Sequence, residues 1–141
     1  ITLAGAKFQD VRWMTVTPEG TVYLIDLYDL VRITPDGTVH AVARDLADWK
    51  WTRLFSPDRH ALMGLWTDPE GNVYVANFSG SDVKRISSDG QVAVVTRSPF
   101  MWSTTGGLIG PNGDMWLLEY STTNAAHVRR IDKDGKSTLF E

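Results

Sequence analysis

Apolar and polar positions recur along this chain in three matching phases of short alternating runs. The runs read VYLIDL at Val22–Leu27, NVYVAN at Asn72–Asn77 and MWLLEY at Met115–Tyr120. Each follows a Pro-x-Gly turn, at Pro18–Gly20, Pro69–Gly71 and Pro111–Gly113, and each carries an aromatic residue at the same phase: Tyr23, Tyr74 and Trp116. Each is followed by an Arg-Ile pair (Arg32-Ile33, Arg85-Ile86, Arg130-Ile131) and then by an Asp-Gly turn ending at Gly37, Gly90 or Gly135. Short runs rich in β-branched and aromatic residues, bounded by Gly, Pro and Asp, predict strands. No segment keeps a 3.6-residue apolar period over three turns, so the class is all-β. The pattern predicts four strands per repeat. Strand a precedes the Pro-x-Gly turn, strand b follows it, strand c carries Arg-Ile, and strand d follows the Asp-Gly turn. Glycine suits both turns because tight hairpins need positive φ.

The three copies span Val16–Arg44, Thr67–Arg97 and Ile109–Glu141. Self-similarity at this period marks a repeat architecture, and four antiparallel strands per repeat is the β-propeller blade. The stretch GLWTDPEGNVYVANFSGSDVKRISSDG, Gly64 to Gly90, resembles the NHL repeat and the related senescence-marker/gluconolactonase-like and strictosidine-synthase-like propellers. The resemblance covers essentially the whole chain as one domain of three blades, at about 7–44, 62–97 and 104–141. It implies half of a six-bladed ring. Ile1–Ala6 reads as the outer strand of a preceding blade. A three-blade wedge leaves two apolar faces open, an aggregation liability. Two arrangements would cover them: the remainder of a longer chain, or a homodimer completing the ring. Ile33, Ile86 and Ile131 are expected in the core.

Composition narrows the partners. The 141 residues carry a net charge of −3 with no block of like charge, so nothing electrostatic points to nucleic acid or to a membrane surface. The apolar runs are far too short to span a bilayer. With no cysteine, thiolate chemistry, disulfides and Cys-type zinc sites are excluded. No N-terminal targeting pattern is visible, and the compartment stays open.

Propeller sites lie at one mouth of the central channel, around the start of strand a and the b–c and d–a loops. In the calcium-dependent lactonases that the resemblance brings in, carboxylates and Asn ahead of strand a hold the metal. Here those places fall on Arg12 or Trp13, on His60 to Met63, and on Thr104 or Thr105. None is an oxygen ligand suited to a hard cation, so no metal ligand is assigned. Streptogramin lyases, a second propeller comparison, often end strand b in Glu, and Glu119 stands there. Asp26 and Asn77 occupy the same phase, and Arg32, Arg85 and Arg130 keep step with them. The plainer reading gives all six a structural role in bonds across the b–c hairpin. His60 is placed near a mouth, as a base, a ligand or a turn cap. His127 is expected on the outer side and His40 exposed on strand d. No G-x-S-x-G elbow is present.

The connectors between repeats are aromatic. Trp49, Trp51 and Phe55 alternate with Lys50 and Arg53 in the first, and Phe100 and Trp102 sit in the second. Such rings either plug gaps between blades or grip an apolar or sugar-like ligand or a protein partner. The ligand-binding candidates are therefore Trp13, Arg53, His60, Trp102 and Thr105. The sequence favours a binding or scaffold module without evident catalytic machinery or cofactor. The alternative is half of a metal-dependent hydrolase or lyase, gluconolactonase-like or streptogramin-lyase-like, using a divalent cation such as Ca or Mg. Whether the chain is an enzyme is left open.

Overall fold

The computed structural model describes residues 7–48 and 60–141. The Ile1–Ala6 strand and the residues Trp49, Lys50, Trp51, Arg53 and Phe55 lie outside the described residues.

Three four-stranded antiparallel sheets follow one another along the chain. The first holds β1 (Val11–Val16), β2 (Val22–Asp26), β3 (Asp29–Ile33) and β4 (Val39–Ala43). The second holds β5 (Leu62–Thr67), β6 (Val73–Asn77), β7 (Asp82–Ile86) and β8 (Val92–Arg97). The third holds β9 (Trp102–Ile109), β10 (Met115–Ser121), β11 (Ala126–Ile131) and β12 (Ser137–Phe140). In each sheet the strands pair in chain order, as the repeat pattern predicts. Among the described residues no helix is long and apolar enough to cross a membrane.

The repeated turns are equivalent in geometry. Gly20, Gly71 and Gly113 all have φ of 85°, and Gly37, Gly90 and Gly135 have φ of 83°, 87° and 82°. All six donate their N–H to the carbonyl three residues back. This is the left-handed conformation that glycine adopts without strain. Leu27, at φ 58°, ends β2 one residue earlier than the sequence pattern suggests.

Strand alternation decides what packs on what. On β6, Val73 and Val75 join Tyr23, Ile25 and Leu30 in a core between the first two sheets. Tyr74 and Ala76, one step out of phase, join Trp66 and Leu117 in a second core toward the third sheet. The innermost strands β1, β5 and β9 adjoin one another from sheet to sheet. Val92, Val94 and Val95 of the outermost strand β8 are exposed, as is His40 on β4, and the inner strand β1 is likewise exposed at Met14 and Val16.

Of the three isoleucines expected in the core, only Ile86 is fully buried; Ile33 and Ile131 are half-buried. The repeat explains Ile33. Ile86 looks toward the preceding sheet and is sealed by it, whereas Ile33 has no preceding sheet among the described residues. Ile131 touches the second core from its edge.

Close approach between sheets depends on Gly64. Its φ is 72°, and a Cβ there would stand 2.6 Å from the Thr105 carbonyl oxygen and 2.7 Å from the Gly106 Cα. These are backbone atoms of the next sheet and cannot swing away. Gly64→Ala is expected to cost at least about 2 kcal/mol, from left-handed strain plus overpacking. The urea midpoint measures it.

Candidate functional site

The starts of β1, β5 and β9 and the b–c loops meet at one end of the three sheets. Trp13 and Thr105 line the same open cavity there, of about 580 Å³, together with Met63, Phe78, Leu118 and Tyr120. Trp102 lines an adjoining cavity of about 290 Å³ that shares Phe78, Tyr120 and Ser121. Its ring stacks on His127 with centroids 3.8 Å apart. His60 is exposed in the turn two residues ahead of β5, which puts it at this same end. Arg53 lies outside the described residues. Trp13, Thr105 and Trp102 sit within strand a rather than ahead of it.

The lining is mainly apolar, with a polar fringe. Thr105 Oγ1 donates to the Leu118 carbonyl at 3.3 Å, and the Ser81 and Ser103 hydroxyls pair at 2.9 Å. Phe78 sits in a 3₁₀ turn, Phe78–Gly80, capped by the Asn77 side chain. Met63, Phe78, Tyr120 and Asn124 were not among the sequence candidates. The b–c loops, residues 27–28, 78–81 and 122–125, differ in length, but Phe78 and Tyr120 share a phase, one residue beyond Asn77 and Glu119.

Behind this mouth lies a buried charge cluster on the third sheet. Glu119 is wholly buried. Its Oε2 lies 2.7 Å from His127 Nε2 and accepts from Arg129 Nε at 3.0 Å. Its Oε1 accepts from Arg129 Nη2 at 2.8 Å and from Thr104 Oγ1 at 3.2 Å. Burial alone pushes the Glu119 carboxyl up, but the Arg129 and His127 hydrogen bonds and the Arg129 charge outweigh it and hold the group below its ordinary value. Arg129 also donates to Thr96 Oγ1 and to the Arg97 carbonyl, so it ties the third sheet to the second. The expectation that His127 lies on the outer side is corrected: it stands opposite Glu119 in the β10–β11 register and is buried beneath Trp102.

The positions in phase with Glu119 do the same kind of work. Asn77 is buried and donates to Asp82 across the hairpin and to Asp48 in the connector, both at 3.0 Å. Asp26 accepts from the backbone N–H groups of Gln9 and Asp10 at 2.8 and 2.7 Å. Asp26 thus holds the segment ahead of β1, Asn77 the connector between the first two sheets, and Glu119 holds Thr104 within β9. The repeated arginines do not share in this. Arg32, Arg85 and Arg130 face Tyr23, Tyr74 and Trp116 at the far end of the hairpin. Arg130 binds Asp114 and lies 5.7 Å over the Trp116 ring.

Solved structures place this arrangement. A catalytically inactive virginiamycin B lyase from Staphylococcus aureus, with quinupristin, matches with TM-score 0.60 at 14% identity, over 93% of this chain and 55% of that one. The chain is three blades of a β-propeller. The calcium-binding protein regucalcin from Agrobacterium tumefaciens matches its blades with TM-score 0.66 at 13% identity, over 93% and 45%. A gluconolactonase from Xanthomonas campestris matches with TM-score 0.64 at 16%, over 86% and 42%. The chain spans about half the length of these six-bladed propellers. No family model matches it, and no curated protein matches it in sequence.

Among the described residues no three His, Asp or Glu side chains converge as metal ligands. The polar groups of the mouth are hydroxyls and one amide, and both oxygens of the nearby Glu119 are taken by Arg129, His127 and Thr104. A hard divalent cation needs six to eight oxygens, usually with carboxylates among them, so these residues alone do not fit one.

Proposed function

We propose that the three blades form part of a propeller mouth that binds a small, largely uncharged molecule. One observation carries this reading: Trp13, Met63 and Thr105, from the inner strands of three separate blades, share one cavity with Phe78 and Tyr120. An apolar, aromatic concavity with a few hydroxyls is the usual make-up of a small-molecule site. Trp13 is the natural anchor, since aromatic side chains dominate contact energies at little entropic cost. Quinupristin and a sugar lactone are the first probes, chosen from what the similar propellers bind or act on. Trp13→Ala is expected to weaken binding of the better probe at least tenfold, as loss of about 1.4 kcal/mol or more would. Calorimetry measures it. Unchanged affinity, or no binding of either probe at millimolar concentration, would count against the mouth.

The comparisons lend more weight to a second reading, half of a metal-dependent hydrolase or lyase, because the similar propellers include a lyase, a gluconolactonase and a calcium-binding protein. In that case the same mouth holds the substrate, and carboxylates for a Ca or Mg ion come from outside the described residues. A site of submillimolar affinity raises the melting temperature in millimolar Ca²⁺ or Mg²⁺ by several degrees, because native-state binding stabilises by mass action. A melting temperature that does not move would speak for the metal-free binding module.

A further inference from the structure

The outward face of the third blade repeats, position for position, a face that is buried inside the chain. Leu108, Trp116 and Leu118 stand in phase with Trp66, Tyr74 and Ala76 of the second blade. Trp66 and Tyr74 are stacked, buried, and sealed by the third blade. Among the described residues no blade covers their counterparts, and Leu108 is 55% exposed and Leu118 40%. The surface that seals Trp66 and Tyr74 is made by Ile109, Met115 and Leu117. These are in phase with Val16, Val22 and Leu24 on the first blade. Leu24 is already buried there, while Val16 is 59% exposed and Met14 67%, so the open part of that face lies on the inner strand β1.

Side-chain sizes are reciprocal at this junction. Trp66 fits against Gly107, where a Cβ would meet its ring at 2.8 Å. The positions in phase with this pair, at opposite ends of the chain, are Leu108 and Met14. A branched side chain would meet a long, adaptable one. The chain therefore carries both halves of one more blade junction, continuous with the two it makes internally.

We propose that a second copy of this chain docks there, the third blade of each copy against the first blade of the other. Two identical seams close a six-bladed ring with its two-fold axis along the channel. A head-to-tail contact forms a ring when its rotation closes and a filament when it does not. Three blades are about half of the similar propellers, so two copies suffice for closure. β1 of one copy then lies beside β9 of the other, and the pair closes the mouth around Trp13 and Thr105 on all sides.

Light scattering on the purified 141-residue chain at micromolar concentration should give twice its 15.7 kDa mass, with no larger species. Leu108→Arg and Val16→Asp, both at exposed positions, should each give a folded monomer with an unchanged circular-dichroism spectrum. Mixing the two variants should restore the dimer, because one seam of the mixed pair is wild type and the other sets Arg against Asp. A wild-type chain that is monomeric or forms an open-ended ladder, single variants that stay dimeric, or a mixture that stays monomeric would each overturn the proposal.

Discussion

Glu119→Ala is expected to destabilise the protein by about 3–5 kcal/mol, the cost of leaving a buried charge without its partner. Arg129 would keep its guanidinium between the second and third blades with only Thr96 and the Arg97 carbonyl to satisfy it. His127 would lose the partner 2.7 Å away. The loss should be read as a denaturant midpoint shift with unchanged slope. The same cluster makes stability pH-dependent with a defined sign. Because the folded-state pKa of Glu119 is depressed, its contribution is fully present above the ordinary glutamate value of about 4.3 and is lost as pH falls through the lower folded value. Glu119→Gln, which removes the titration, should flatten the wild-type loss of stability below about pH 4. A wild-type profile no steeper than that of the Gln variant would show that the cluster is not the acid-sensitive element.

The second large effect belongs to Ile86. It is fully buried between the first two blades, among Val73, Val75 and Leu62. Ile86→Ala should cost about 2–5 kcal/mol, from lost transfer energy plus the cavity left behind. Ile33→Ala, at the same repeat position but half-buried in the single chain, should cost clearly less when both are measured in the monomeric Leu108→Arg background. Equal losses there would mean that Ile33 is as well covered within one chain as Ile86.

That contrast also shows how far the sequence could be read. The strands, the turns and their pairing were legible because each depends on local chemistry: positive φ at six glycines and alternation along β2, β6 and β10. Burial of the individual isoleucines was not legible, since it depends on which neighbour a blade has rather than on the blade itself. The mouth was legible in part. Trp13 and Thr105 came from a rule about where strand a begins, and they line one cavity. Phe78 and Tyr120 escaped that rule because they come just after the repeated polar position of strand b, one residue beyond Asn77 and Glu119, and not at the start of strand a. His127 was misplaced for a related reason. Position alone set it at the head of strand c, but its environment comes from a register that puts it opposite Glu119 and under Trp102, contacts that join residues 8 and 25 positions apart. Arg129 was passed over for its neighbour Arg130, which keeps the repeat phase. The unrepeated residue is the one that carries the cluster.

The mouth is tested most directly by the tryptophan indole N–H resonances in a proton–nitrogen correlation spectrum, recorded while quinupristin is titrated into the protein. Trp13 and Trp102 border the two adjoining cavities, whereas Trp66 is buried between the second and third blades. The account predicts that Trp13 and Trp102 move in a saturable way and that Trp66 stays in place. A saturable shift at Trp66 or Trp116 with Trp13 and Trp102 unmoved would place binding elsewhere and contradict it.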